Sequence, residues 1–157
     1  MKVDSVMTTS VSTCVPGDTL NDAARVMWER DCGIVPIVAD RNDSRVIGVI
    51  TDRDICIAAY TQGRPLREIR IGDVMSKRVI SCRASDEVDF AEGAMQQAQV
   101  HRLPVVDESQ HLVGVLALAD LARAASTAPR LGPRPEELGE TVKAIRRPRA
   151  LEVIEAS

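Results

Sequence analysis

The chain has 157 residues, 45% of them hydrophobic but only 2% aromatic, and 20 basic against 23 acidic side chains leave a formal net charge of −3. That length suits one compact domain or two small ones packed together, with an aliphatic core, since Trp28, Tyr60 and Phe90 are the whole aromatic set. Scarce aromatics argue against a single-stranded nucleic-acid binder, which stacks bases on rings, and the lack of a strongly basic tract before the tail argues against duplex binding.

The first ten residues, MKVDSVMTTS, carry an early acid and no continuous apolar stretch, so no signal peptide is expected. No run approaches the roughly 18 apolar residues that a bilayer requires. A first short extended piece ends near Cys14. Pro16-Gly17-Asp18 then makes a turn, with Asp18 expected as the N-cap of a helix. Leu20, Ala23, Ala24 and Met27 fall at i, i+3, i+4 and i+7, the stripe of an amphipathic helix that Gly33 is expected to end. Ile34 to Val38 and Val46 to Ile50 are aliphatic runs separated by the turn-rich ADRNDS, so they are expected to pair as strands. A second helix is expected from about Thr51 to Thr61.

The next stretch repeats this one. A displacement of 68 residues carries Val6-Met7 onto Val74-Met75, Cys14 onto Cys82, Asp18 onto Asp86, Met27 onto Met95 and Pro36 onto Pro104. After a loop two residues shorter in the second copy, a displacement of 66 carries Gly48 onto Gly114, Asp54 onto Asp120 and Ala58-Ala59 onto Ala124-Ala125. The second copy therefore predicts a strand ending near Cys82, a helix over Asp86–Gln99, strands at Leu103–Val106 and Leu112–Leu116, and a helix from about Leu118. The unit is β-α-β-β-α, written twice, over residues 1–62 and 63–126. A unit this small buries little core alone, so the two copies are expected to pack as a pseudo-two-fold pair with two equivalent clefts. The fold class is α/β in the broad sense (α+β), with residues 127–157 as a linker and C-terminal helix.

A tandem β-α-β-β-α repeat with Val-Met at its start, a Pro-containing aliphatic strand in its middle and GVITDRDI at its end resembles the CBS-domain pair, or Bateman module. The likeness runs from Val3 to about Ala125 and looks like the stand-alone bacterial CBS-pair proteins. The resemblance implies a regulatory module that binds AMP, ADP, ATP, S-adenosylmethionine or NAD between its repeats. It also implies pairing of two modules into a homodimeric disc of four CBS repeats that acts on a further, unknown protein.

By that likeness Asp54 holds ribose and Thr51 contacts ribose or an α-phosphate. Two vicinal hydroxyls suit an ionised Asp, and the free N–H groups of a helix start suit a phosphate. Ser81, Val100, His101, Arg102, Leu103 and Pro104 of the second copy would form the other wall, with adenine between aliphatic groups such as Ile50, Ile80 and Leu103. The opposite cleft would pair Asp120 with Thr13, Gly33, Ile34 and Val35. It has Ala117 in place of the threonine and uncharged Gly33 and Ile34 in place of His101 and Arg102. One competent site, at Asp54, and a weaker one at Asp120 are therefore expected. Plainer readings stand beside these. T-x-x-D is also a helix capping box, His101 an ordinary surface histidine, and Arg102 a solvated cation. The aspartate persists in GVLALADL, where the capping threonine has gone, and this favours a duplicated ribose grip.

Only two histidines, His101 and His111, and no favoured nucleophile–base pair argue against an enzyme. Asp52 with Asp54 supplies too few ligands for a metal, and no cofactor is required. Cys14, Cys32, Cys56 and Cys82 form no CxxC pair and are expected as buried apolar residues in a reducing cytoplasm, a disulfide or reactive thiol being the other case. Past Thr127 the composition turns to Pro and Gly. Pro135 then opens a helix to about Ile145 with Leu138, Val142 and Ile145 along one edge, followed by the basic cluster Arg146-Arg147-Arg149, read as a solvated end or an anion contact. The alternatives to a nucleotide sensor are a ligand-free dimeric scaffold or stress protein, favoured by Ala117, and a binder of S-adenosylmethionine or NAD.

Overall fold

The computed structural model describes residues 1–127 and 132–147; Arg149 and the end of the tail lie outside them. The first repeat holds α1 (Leu20–Arg30), β1 (Ile34–Asp40), β2 (Asp43–Thr51) and α2 (Asp52–Gln62). The second holds β3 (Cys82–Arg83), α3 (Val88–Ala98), β4 (Arg102–Val106), β5 (Leu112–Ala117) and α4 (Leu118–Thr127), and α5 (Pro135–Ile145) follows.

The duplication extends to backbone detail. β1 and β2 pair antiparallel with Val35 opposite Ile50, and β4 and β5 pair antiparallel with Leu103 opposite Leu116. Cys82 bridges Val105 in parallel, and Cys14 bridges Ile37 the same way. The expected first strand is thus two residues long in the second repeat and a lone bridge in the first, where Pro16 offers no N–H to continue a ladder. α1 and α3 each end on a non-glycine residue in the left-handed region, Asp31 (φ 49°) and Gln99 (φ 53°), again 68 positions apart.

Two boundary expectations need correcting. Thr19, not Asp18, caps α1: Thr19 N–H donates to Asp22 Oδ2 (2.9 Å) and Asp22 N–H to Thr19 Oγ1 (3.3 Å). Asp18 instead accepts from Val15 N–H at 3.0 Å, closing the preceding turn, as Asp86 does from Arg83 at 2.7 Å. Gly33 does not end α1, because Asp31 already takes the left-handed turn. Gly33 is buried for another reason: a Cβ on it would lie 3.0 Å from both Arg102 Nη1 and Asp52 Oδ2.

The repeats are interlocked by exchange of their leading segments. Val3 is fully buried in the core of the second repeat, its N–H donating to Asp86 O (3.0 Å), while Thr8 and Val115 exchange two backbone bonds of 2.9 Å. In return Ile69 and Ile71 are buried in the core of the first repeat, and Val49 and Ser76 exchange bonds of 3.0 and 2.9 Å. The doubled Val-Met and Gly motifs meet in this exchange. Met7 and Thr8 pack on Gly114, and Met75 and Ser76 pack on Gly48.

Both cores are aliphatic, around Leu20, Ile37 and Ile50 in one repeat and Met95, Leu103 and Leu116 in the other. Each fully buried side chain of this size contributes about 1.5–3 kcal/mol before conformational entropy is counted. The aromatics take no part: Trp28 and Tyr60 are each 88% exposed and Phe90 63%. Cys14 and Cys82 are buried as expected, Cys32 is half-buried, and Cys56 is exposed on α2, contrary to expectation.

α5 packs along α3 through a buried polar cluster. Gln96 Nε2 donates to Thr141 Oγ1 (2.6 Å), and that hydroxyl also meets the Glu92 carboxylate and the Glu137 carbonyl. Glu92 and Thr141 are both buried. Leu138 and Ile145 pack on the second core, as expected of the α5 edge, whereas Val142 is exposed.

Candidate functional site

The stretch GVITDRDI runs from the end of β2 into α2. Thr51 is extended (φ −115°, ψ 163°), so its side chain folds over the helix start. Thr51 N–H donates to Asp54 Oδ2 (2.9 Å), and Asp54 N–H donates to Thr51 Oγ1 (3.2 Å). The capping box is complete within the chain. Asp54 Oδ1 has no hydrogen-bond partner among the described residues, and Asp54 lines a cleft of about 250 Å³ with Ile57, Ala58, Thr61, Gln62, Asp73 and Val74.

At the equivalent place in the second repeat, Ala117 N–H donates to Asp120 Oδ2 at 2.9 Å. Asp120 therefore performs half of the cap without a threonine. Its persistence in GVLALADL is accounted for by capping and does not by itself single out ribose. Asp120 Oδ1 accepts from Arg123 Nη1 at 3.1 Å, and the carboxylate is buried. Both of its oxygens are engaged, whereas Asp54 keeps one open.

The remaining candidates fall in several places. Ile50 and Leu103 are fully buried in the cores of different repeats, and Pro104, Ile34 and Val35 are buried as well. Thr13, Ile80 and Val100 are half-buried, the last two against the second core. Ser81 lines a separate cleft of about 330 Å³ with Cys82, Arg83, Asp86, Phe90, Val106 and Gln110, away from Asp54. Both clefts lie near or below the lower end of the roughly 300–1,000 Å³ of small-molecule pockets, so a bound nucleotide would leave part of itself in solvent.

Arg102 is what joins the two repeats at this site. Its guanidinium and the Asp52 carboxylate of the α2 N-terminus meet over Gly33, each 3.0 Å from where a Cβ on that glycine would sit, so the two opposite charges are close neighbours. Arg102 thus reaches from the start of β4 to the start of α2, next to Thr51 and Asp54. His101 is exposed, its carbonyl accepting from Leu118 N–H at 2.9 Å. Partial burial, then the charges of Arg102 and Arg146, hold its imidazole below the ordinary histidine range. Burial pushes the thiols of Cys14 and Cys82 up to about 11 and about 12, so neither supplies a thiolate at neutral pH. Among the described residues no three His, Cys, Asp or Glu side chains gather as a metal site, and no helix is long and apolar enough to cross a membrane.

The cleft residues Ile57, Ala58, Thr61 and Val74 are absent from the sequence-based set. Asp54, Ile57, Ala58 and Thr61 stand at i, i+3, i+4 and i+7 on α2, so helical spacing from Asp54 points to three of them. Val74 enters through the segment exchange, which leaves no local signal.

The CBS-domain profile matches residues 3–60 and 71–127. CBS domain-containing protein YhcV of Bacillus subtilis is 37% identical over 120 residues, covering 76% of this chain and 82% of that one. A crystal structure of Hypoxic Response Protein I with two coordinated zinc ions has a TM-score of 0.70 at 31% identity, covering 78% of this chain and 98% of that one. CBSX2 in complex with AMP has a TM-score of 0.71 at 24% identity, covering 82% and 98%, and so shares the fold. With two matched copies that interlock as described, the chain belongs to the CBS-domain family, as a tandem pair.

Proposed function

We propose that this CBS pair is a regulatory module, not an enzyme, that binds an adenosine-containing nucleotide (AMP, ADP or ATP) in the cleft beside Asp54. It works as a homodimer in the cytoplasm and signals in trans to a partner protein. The observation that carries this reading is the unequal state of the two aspartates. Asp54 keeps Oδ1 without a partner among the described residues and lines a cleft with Ile57, Ala58, Val74, Thr61, Gln62 and Asp73, whereas Asp120 Oδ1 is taken by Arg123. An open carboxylate oxygen at a helix start accepts from ribose hydroxyls, and Arg102 supplies positive charge nearby. The AMP-bound CBSX2 fold supports the ligand class. S-adenosylmethionine and NAD present the same ribose and remain alternatives within this site.

Calorimetric titration of the wild type, Asp54→Ala and Asp120→Ala with AMP, ADP, ATP, S-adenosylmethionine and NAD tests the proposal. Hydrogen bonds to a charged group contribute about 1.5–3 kcal/mol, so Asp54→Ala weakens binding by about 10–100-fold and Asp120→Ala has little effect. Equal losses in both variants would defeat the one-site reading. Binding of none of the five moves the function to a ligand-free dimeric scaffold, a reading favoured by the Thr51–Asp54 box being satisfied without a ligand.

A further inference from the structure

A cleft of about 330 Å³, larger than that of Asp54, lies where the turn before α3 meets the β4–β5 loop. Arg83, Asp86 and Phe90 line it with Ser81 and Gln110, against the buried Cys82 and Val106. A tight turn sets the two charged residues side by side. Arg83 N–H donates to Asp86 Oδ2 (2.7 Å), and Asp86 N–H donates to Arg83 O (3.1 Å). Among the described residues Asp86 Oδ1 accepts no hydrogen bond and the Arg83 guanidinium has no carboxylate partner, so two opposite charges share one cleft without pairing. Gln110 is held there by its backbone: its φ is 67°, its N–H donates to Asp107 O (3.1 Å), and its carbonyl accepts from Val46 N–H of β2 (3.1 Å). Its side-chain amide is left to the cleft.

The first repeat keeps the turn but not this chemistry. Asp18 stands for Asp86, and Arg41 Nη2 holds it at 2.6 Å; the residue 68 positions beyond Arg41 is Ser109, which carries no charge. Val15 stands for Arg83, and Asp22, tied into the α1 cap, stands for Phe90. The second repeat has therefore lost the cation that closes the acid and gained a free cation and a ring. Phe90 is 63% exposed, one of only three aromatic residues in the chain. A ring at a cleft in so aromatic-poor a chain suits a ligand with an apolar part.

We propose that this cleft is a second ligand site, which takes a free α-amino acid with its carboxylate on Arg83, its ammonium on Asp86 Oδ1 and an apolar side chain on Phe90. A guanidinium fork matches a carboxylate, and an open carboxylate oxygen accepts from an ammonium. An α-amino acid carries both charges on one carbon, and the turn presents their two partners side by side. The volume stands at the lower end of the roughly 300–1,000 Å³ of small-molecule pockets, which suits a ligand of that size better than a nucleotide. The site shares no lining residue with the Asp54 cleft.

Calorimetric titration of the full chain with L-leucine, L-methionine and L-phenylalanine, then with the N-acetyl and amide derivatives of the tightest binder, tests the site. The proteins are the wild type, Arg83→Gln, Asp86→Asn and Phe90→Ala; asparagine keeps an acceptor for the turn. At least one amino acid is expected to bind the wild type, with both derivatives about three- to tenfold weaker. Arg83→Gln erases the preference over the amide, and Asp86→Asn erases the preference over the N-acetyl form. Phe90→Ala weakens the amino acid by about three- to tenfold. If none of the three binds, or if binding is the same in all four proteins, the site is overturned. Derivatives that bind the wild type as tightly as the amino acid overturn it too, because the charges then play no part. The nucleotide reading is judged by AMP alone, so either can fail without the other.

Discussion

Arg123 closes Asp120: its Nη1 lies 3.1 Å from the carboxylate Oδ1 one turn away on α4, and at the equivalent position of α2 stands Ile57, which leaves Asp54 open. Both Asp120 oxygens are therefore engaged within the chain, and Ala117 stands where α2 has the capping Thr51. The double variant Arg123→Ile, Ala117→Thr gives α4 the start that α2 has. Calorimetry of this variant with AMP is expected to show a second equivalent bound. An exposed partner such as Arg123 contributes at most about 1 kcal/mol, so freeing the acid alone gains at most about fivefold. Stoichiometry unchanged in the double variant would show that the blocking pair is not what distinguishes the sites.

The exchanged segments make a prediction about Gly48 and Gly114. A Cβ on Gly48 would fall 2.7 Å from Met75 Sδ and 3.0 Å from the Ser76 carbonyl; on Gly114 it would fall 2.8 Å from both Met7 Sδ and the Thr8 carbonyl. A methionine sulfur can move, but a carbonyl in a paired backbone cannot move freely. Alanine at either position is expected to cost about 1–3 kcal/mol through overpacking, with Gly114→Ala the larger loss. Denaturant unfolding measures both; no loss at Gly114 would mean that the leading segment is not held against β5.

The duplication and the element order are legible in the sequence because they rest on residue identities at fixed displacements and on aliphatic periodicity. The Thr51–Asp54 box is legible for the same reason. The matching box at Thr19–Asp22 carries the same signal one position beyond Asp18, which the Pro16-Gly17 turn makes an equally good cap by residue type. The exchange of leading segments is not legible: Val3 and Ile71 are simply apolar, and nothing local states which repeat buries them. The same holds for α5, since Glu92, Gln96 and Gln99 look like a solvated helix face until Thr141 is seen against them. Ile50 and Leu103 fit an adenine wall by hydrophobicity, yet their strands bury them in separate cores. Only the fold reveals Arg102 spanning the two repeats.

The docking of α5 is expected to depend on pH. Burial raises the affinity of Glu92 for a proton, the Thr141 hydroxyl partly offsets this, and the nearby charges of Glu137 and Asp89 raise it further. Because the docked carboxyl holds its proton more tightly than it does in the unfolded chain, its contribution is fully present below the ordinary glutamate range. It falls as pH rises through the raised value. Hydrogen exchange of the α5 amides, followed from about pH 4 to 8, is expected to show weaker protection at the upper end after correction for intrinsic rates. Glu92→Gln flattens that dependence. Thr141→Val leaves Gln96 and Glu92 without their shared partner and costs about 1–3 kcal/mol at any pH. A flat profile in the wild type would remove the protonation link.

The proposed homodimer can be followed through Trp28. The chain has one tryptophan, on α1 and 88% exposed, and Tyr60 on the contacting helix α2 is exposed to the same degree. The residue equivalent to Trp28 is Gln96, which α5 covers with Thr141. The second repeat thus shields this helix face with a polar contact inside the chain, while the first repeat presents an indole there. Arg25 and Glu29 flank it at i−3 and i+1, so an antiparallel pairing of α1 with its copy sets each opposite the other. Tryptophan emission is expected to shift to the blue with rising protein concentration, in step with a doubling of mass in sedimentation. Trp28→Glu is expected to keep the fold and remain monomeric, because a charge in that contact has no partner. Emission that is blue-shifted at every concentration would mean that another part of the same chain covers α1, and a Trp28→Glu dimer would place the interface elsewhere.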